Sequence, residues 1–304
     1  MNIMMTGASG LLGAALRDAL DERGDTVVPV MRGEVNLAEI PHWNPGKGEL
    51  FIPEDLQIDA VIHLSGASLS RLPWTKKYKN EIVMSRVQST LLLSAMLAAR
   101  EQKPRVFISA SAIGIYGDRG EEELNESSEP GTGFLADTCS QWEASTQLAE
   151  KAGMRVVHAR TGLVLSKTAG LLKTMLLPFR WGLGAVLGSG KQYMSWISLK
   201  DTVEAILYAM DTATLSGAVN IVGPNPVTNK EFSKTLGRII QRPVLLKAPA
   251  WGLRLLLGVA AREMILVGAR VIPSKLINSG FKFHHESLEK ALETTLEKPD
   301  DSLA

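Results

Sequence analysis

The sequence predicts an α/β fold, a doubly wound parallel sheet with a smaller, mostly helical lobe toward the C-terminus. Three observations carry that prediction. Short apolar runs bounded by turn residues, at Asn2–Thr6, 25–31, 59–65, 105–111 and 155–164, read as strands, and their unbroken apolar character suits strands covered on both faces. Stretches with apolar residues at helical spacing, 11–23, about 75–100 and 134–152, alternate with those runs in the pattern of parallel crossovers. Past Leu165 the alternation loosens into short helices separated by Pro226, Pro243, Pro249 and Pro273, which predicts the smaller lobe.

The elements follow in order. The first strand ends at Gly7, and Gly7, Gly10 and Gly13 make the turn into the first helix. The Val-rich run 25–31 is the second strand, 50–53 a weaker one between Gly48 and Glu54, and 59–65 (DAVIHLS) a strong one. The long helix at 75–100 leads to the strand 105–111 (RVFISAS), and the helix at 134–152 feeds the strand 155–164. Next come a Gly-rich stretch, 182–190 (GLGAVLGSG), a segment at 192–197, a helix at 199–210 and a strand at 218–222. The segment 251–265, with Trp251, Leu255, Leu256 and Val259 on one face and Arg254, Arg262 and Arg270 nearby, is expected to pack onto the sheet domain rather than onto a membrane.

Composition removes several classes of function. The chain has 304 residues, enough for two domains at roughly 100–200 residues each. Its 33 basic and 32 acidic residues leave a net charge of +1, so neither nucleic acid nor anionic lipid is an expected partner. With 45% hydrophobic and 21% charged residues it reads as a globular protein. The uncharged stretch 1–16 has no basic segment before it and is expected to be folded protein rather than a leader. The lone Cys139 excludes an intrachain disulfide and fits a reducing, cytoplasmic setting. There is no G-x-S-x-G elbow and no H-E-x-x-H, and His284 and His285 are adjacent, so hydrolase and metal chemistry are not expected.

The spacing Gly7-x-x-Gly10-x-x-Gly13, directly after a strand and opening a helix, predicts a dinucleotide site and hence a Rossmann-type sheet. Glycine allows the tight turn and the close approach of backbone to pyrophosphate, while the amides of the helix start (Leu11, Leu12, Gly13) face the anion. Thr6 and Ser9 are candidate hydroxyl donors to the phosphates. The second strand ends in Met31 and Arg32. An acid there would hold the ribose 2′-hydroxyl of NAD(H), whereas an arginine suits the 2′-phosphate, so NADP(H) is expected and NAD(H) is less favoured. The alternative is that Arg32 is a solvated loop residue and Glu34 caps the ribose.

Several further motifs accompany the glycines: Leu64-Ser65-Gly66-Ala67, the run 108–117 (ISASAIGIYG), Cys139-x-x-Trp142-Glu143, the run 182–190, Ser195-Trp196-Ile197, Val271-Ile272-Pro273 and Gly280-Phe281. Together they resemble the epimerase-like branch of atypical extended short-chain dehydrogenases/reductases, over about residues 1–295. That resemblance implies an NADP-binding Rossmann domain over 1–165 and 191–223 and a substrate lobe over 166–190 and 224–295; the remaining residues, 296–304, are expected to be a frayed tail. It also implies cofactor contacts from Leu64, Ser65 and Gly66, and from Glu81 and Arg86 on the long helix, where Arg71, Trp74 and Ser85 complete the motif. Arg160, at the end of its strand, belongs either beside the cofactor or substrate phosphate or in a buried ion pair.

Working short-chain dehydrogenases pair a tyrosine with a lysine four residues later, the lysine lowering the phenol pKa. Here the residues four after Tyr78, Tyr116, Tyr193 and Tyr208 are Ile82, Gly120, Ile197 and Thr212. In the expected frame Thr138 and Trp142 occupy the two places. No 4-epimerase turnover on UDP-glucose or UDP-galactose is therefore expected. The remaining catalytic candidates are Ser111 with Ser109 close by, Cys139 and Tyr116. Each has a plainer alternative: a turn-forming serine, a small buried helix residue, a phenol packed at the cofactor edge. Trp74, Trp181 and Trp196 either line a stacking pocket or sit in the core. Two functions stay open, NADP-dependent redox or epimerase-like chemistry on a small polar substrate, and NADP(H) sensing without turnover. A small molecule is the expected partner, bound by a monomer or homodimer.

Overall fold

The computed structural model describes residues 1–33 and 40–297, and a six-stranded parallel sheet forms its centre. Its strands are β1 (Asn2–Thr6), β2 (Thr26–Pro29), β3 (Ala60–His63), β4 (Val106–Ala112), β5 (Arg155–Thr161) and β6 (Gly217–Ile221), in the spatial order β2-β1-β3-β4-β5-β6. The helices in chain order are α1 (Leu11–Glu22), α2 (Lys76–Ala99), α3 (Phe134–Ala144), α4 (Gln147–Lys151), α5 (Gly170–Arg180), α6 (Leu199–Asp211), α7 (Asn229–Ile239), α8 (Ala250–Leu257), α9 (Ser274–Ser279) and α10 (Leu288–Leu296).

Strand alternation sorts the core into two layers. Ile3, Met5, Ile62, Ile108, Val157 and Val219 pack with Leu16 and Leu20 of α1 and Val203 and Ile206 of α6. Met4, Val61, Phe107 and Val156 face the other way, onto Leu93 and Leu97 of α2 and Ala149 of α4. Each such side chain contributes about 1.5–3 kcal/mol when taken out of water, so burial on both faces holds the sheet between its helix layers. Among the described residues α2 is the one helix long and apolar enough to cross a membrane. Here its apolar positions are divided between the sheet and a cluster of Trp74, Tyr78 and Ile82.

Three expected elements differ in detail. The helix expected over 134–152 is two, α3 and α4, because the hydroxyls of Ser145 and Thr146 bond back to the carbonyls of Gln141 (2.8 Å) and Glu143 (2.8 Å) and turn the chain. The strand expected over 155–164 stops at Gly162, where a Cβ would lie 2.4 Å from the Ser195 carbonyl; the chain then pairs as Leu163–Leu165 with Trp196–Ser198. The weak strand near 50–53 exists as Glu49–Phe51, but it pairs with His42–Asn44 in a small side sheet that also takes Met31–Arg32.

The second lobe gathers Leu172, Leu176 and Phe179 of α5, Phe232 and Leu236 of α7, and Leu288 and Leu292 of α10 around Trp196. α7 starts on a capping box between Thr228 and Glu231. The expected packing of 251–265 on the sheet domain is corrected in part. α8 buries none of its residues, and Leu255 is 83% exposed; only the turn after it docks, through Ala260, against Trp74, Tyr78 and Ile82. Of the expected tail, residues 298–304 lie outside the described residues.

Candidate functional site

Strand order reverses between β1 and β3, and in open parallel sheets ligands bind outside the carboxyl ends of the strands at such a point. The loops following these two strands meet there. Gly7 has φ +74°, and a Cβ on it would lie 3.0–3.1 Å from the Leu64 and Ser65 backbone; one on Gly13 would fall 2.2 Å from the Gly7 carbonyl. The protein's own packing requires both glycines. A Cβ on Gly10 would meet only the Gly7 carbonyl, at an ordinary 3.4 Å, so the space above it is open. Gly10 is also the N-cap of α1, and no side chain caps that helix, which leaves the first-turn amides of Leu11 and Leu12 to an external acceptor. Ser9 is exposed beside them. Backbone donors, a helix start and an unobstructed glycine together fit a pyrophosphate.

Thr6 is a correction. It is fully buried, and its Oγ1 lies 2.6 Å from His63 Nδ1, turned into the protein rather than toward the phosphates. The Trp142 indole N–H can only donate, so Thr90 Oγ1 accepts from it at 2.9 Å and directs its own proton to His63 Nε2, also at 2.9 Å. His63 is then the Nδ1–H tautomer, donating to Thr6. Sequence reasoning missed this relay because its members are 27 to 57 residues apart.

Burial pushes the His63 imidazole down to about 3, and burial lowers His158 as well. A histidine that stays neutral when folded binds a proton near pH 6.5 only after unfolding, so its stabilisation is complete above that pH and falls as the pH drops toward the folded value. Between pH 6.5 and 5, above the carboxylate range, His63 alone should remove about 1.4 kcal/mol per pH unit. Urea unfolding at pH 7.5 and 5.0 should show the lower midpoint at pH 5.0, and His63→Gln should flatten the difference. An equal midpoint at both pH values would contradict the neutral buried imidazole.

Arg32 and Met31 stand just past β2, both exposed, and Arg32 makes no ion pair among the described residues. Glu34, the alternative ribose ligand, lies outside the described residues. In the loop after β3, Ser65 is buried, Leu64 half-buried and Gly66 exposed. Gly66 adjoins Arg86: a Cβ there would lie 3.1 Å from the guanidinium carbon. Arg86 donates to the Ile82 and Ala67 carbonyls (3.0 and 3.1 Å) and lies over the Trp142 ring, 5.1 Å from its centre. Glu81, expected beside it, is exposed and takes no part in the cavity wall.

Beyond Arg86 opens a cavity of about 320 Å³. Its walls include Thr138, Cys139 and Trp142 of α3, Thr161 and Gly162 at the end of β5, residues 192–195, and residues 262–265 of the second lobe. Contact therefore runs unbroken from Gly7 through Leu64–Ser65 and Gly66 to Arg86 and the cavity. Of the three tryptophans weighed for a stacking pocket none lines it; Trp74 and Trp196 are core and Trp181 is exposed, while Trp142 takes the wall position.

The catalytic candidates separate. Cys139 lines the cavity, but burial, with Glu143 adding to it, pushes the thiol up to about 12 against the opposing pull of Arg86 and Arg160. Ser111 is not part of the wall, and its hydroxyl donates to Glu143 Oε1 at 2.7 Å. Ser109 is fully buried in β4. Tyr116 faces away from the cavity, its phenol donating to Asn220 Oδ1 (2.7 Å) and accepting from Arg160 (2.9 Å), and burial raises its pKa. Arg160 resolves to the buried ion pair: its Nε and Nη2 each donate to Glu143 at 2.8 Å. Burial would raise the Glu143 carboxyl, but the Arg160 guanidinium holds it below the usual carboxylate value. Glu143, four residues past Cys139, is the organising acid of this network, a role sequence reasoning did not assign.

Residues 3–222 match the model of the NAD dependent epimerase/dehydratase family, and 248–295 match a domain of unknown function. An epimerase family protein of Mycobacterium leprae is 42% identical over 300 residues, covering 99% of this chain and 97% of that one. One from Bacillus subtilis is 36% identical, covering 96% and 97%. A crystal structure of a human epimerase family protein with NADPH superimposes with a TM-score of 0.87 at 27% identity, covering 97% of this chain and 99% of that one.

Proposed function

We propose that this chain, which belongs to the NAD-dependent epimerase/dehydratase family, binds NADP(H) along the glycine loop and carries out redox or epimerase-like chemistry on a small molecule in the adjoining cavity. The observation that carries this reading is the open cradle at Gly10, joined through Gly66 and Arg86 to the cavity wall. Arg32 supports NADP(H) over NAD(H), since an exposed guanidinium past the second strand offers paired donors to a 2′-phosphate. The similar human protein crystallised with NADPH supports it too.

When bound, NADP(H) supplies or accepts the hydride. The chain's residues do the rest. Arg86, over Trp142 in the place where working short-chain dehydrogenases carry the lysine, sets positive charge on the cavity wall. Cys139, kept as a thiol by burial, can donate a proton to a substrate oxygen but does not serve as a thiolate near neutral pH. Ser111 and Tyr116 are spent on the Glu143–Arg160 pair and Asn220, so they hold structure rather than move protons. That same occupancy supports a second reading, in which the protein senses NADP(H) without turnover.

Fluorescence titration should give NADPH at least ~10-fold tighter binding than NADH, about 1.4 kcal/mol, and Arg32→Ala should bring the two together. Equal affinities in the native protein, or an unchanged preference in the variant, would overturn the cofactor assignment.

A further inference from the structure

Resting on that reading of the site, we propose that the cavity takes a mainly apolar molecule carrying a single carboxylate, and not a polyhydroxylated nucleotide sugar. Four of its polar wall side chains, Gln192, Ser195, Asn229 and Thr138, are already engaged within the protein, which leaves the hydroxyls of Thr132 and Tyr193 and the Cys139 thiol as its few uncharged polar groups. Gln192 Nε2 donates to the Leu187 and Ile265 carbonyls at 3.0 and 3.1 Å. Ser195 Oγ donates to the Ala269 carbonyl (2.7 Å) and accepts from the Val271 amide (2.9 Å). Asn229 Oδ1 accepts from the Leu187 amide at 2.8 Å while its Nδ2 lies against Met194 Sδ, and Thr138 donates to the Phe134 carbonyl at 2.6 Å.

A sugar entering this space would bring more hydroxyls than these few groups can pair, and each buried unpaired polar group carries a penalty. What the walls present instead is Ile113, Leu135, Leu163, Leu171, Met194 and Val267. The two charged residues side by side on the second-lobe wall differ. Glu263 spends Oε2 on the Leu135 amide at 3.0 Å, capping α3, whereas Arg262 is exposed and makes no hydrogen bond or ion pair among the described residues. A guanidinium free on an apolar wall matches a carboxylate, which it can grip with two parallel N–H donors.

The test is calorimetric titration of NADPH-saturated protein with straight-chain carboxylates from butanoate to dodecanoate, their primary amides, and UDP-glucose. Affinity for the carboxylates should rise roughly fourfold per added methylene until the cavity is filled. Each long carboxylate should bind at least ~10-fold more tightly than its amide, and UDP-glucose more weakly than the best carboxylate. Arg262→Ala should abolish the carboxylate–amide difference and leave the chain-length slope. Met264→Asn, on the wall but 41% exposed and so compatible with folding, should flatten the slope. Leu255→Ser, on α8 outside the cavity, should change neither. A flat chain-length series, parity of carboxylate and amide in the native protein, or tighter binding of UDP-glucose would overturn the proposal. NADPH binding, measured first in the same samples, separates the two claims: its absence would overturn the cofactor reading, while the carboxylate series on the free protein would still decide the cavity.

Discussion

Gly10→Val is expected to weaken NADPH binding by at least ~100-fold, about 2.7 kcal/mol, while the far-ultraviolet circular dichroism and the unfolding midpoint stay close to native. The reason is geometric. A Cβ on Gly10 has ordinary contact with the protein itself, so the fold tolerates it, but it projects into the space where the helix-start amides would meet the pyrophosphate. Gly13→Val supplies the contrast, because its Cβ would lie 2.2 Å from the Gly7 carbonyl and 2.8 Å from Ala8 Cα; this variant should lose stability as well as binding. Retained NADPH affinity in a folded Gly10→Val protein would show that the glycine turn serves packing alone.

Glu143→Gln should be the most damaging single change away from the glycine loop. It leaves the Arg160 guanidinium, 7% exposed, facing a neutral amide with one acceptor oxygen where a doubly bonded carboxylate stood, and that single oxygen must also serve Ser111. Breaking one side of a buried pair typically costs ~3–5 kcal/mol, because the surviving charge stays desolvated. Adding Arg160→Met should recover much of that loss, since the double variant buries no lone charge. Urea unfolding followed by tryptophan fluorescence reads both. A loss under about 1 kcal/mol for Glu143→Gln would mean that water reaches the pair.

The strands and the glycine turn were legible in the sequence because their signals are local: apolar runs and a fixed glycine spacing. The reach of each element was less so. Whether a helix continues through Ser145 and Thr146 depends on hydroxyls competing for backbone carbonyls and on Thr146 meeting His158 Nε2 at 2.8 Å across the sheet layer. Roles within the site were least legible. Ser111, Tyr116 and Arg160 are polar residues near strand ends, the places where catalytic groups gather. What holds Ser111 and Arg160 is a carboxylate on a different element, Glu143, 17 and 32 residues from its partners, while Tyr116 is held by Arg160 and Asn220. Thr6 was misplaced for the same reason, since its partner His63 lies 57 residues on, in the neighbouring strand β3.

The position of the nicotinamide ring in a crystal structure of the NADPH complex tests the central claim most directly. The pyrophosphate is expected on Gly10 and the α1 start, the 2′-phosphate at Arg32, and the nicotinamide in the cavity between Arg86 and the wall formed by Cys139, Thr161 and Gly162. A dinucleotide seated elsewhere, or one bound at Gly10 with its nicotinamide directed into solvent away from that cavity, would contradict it.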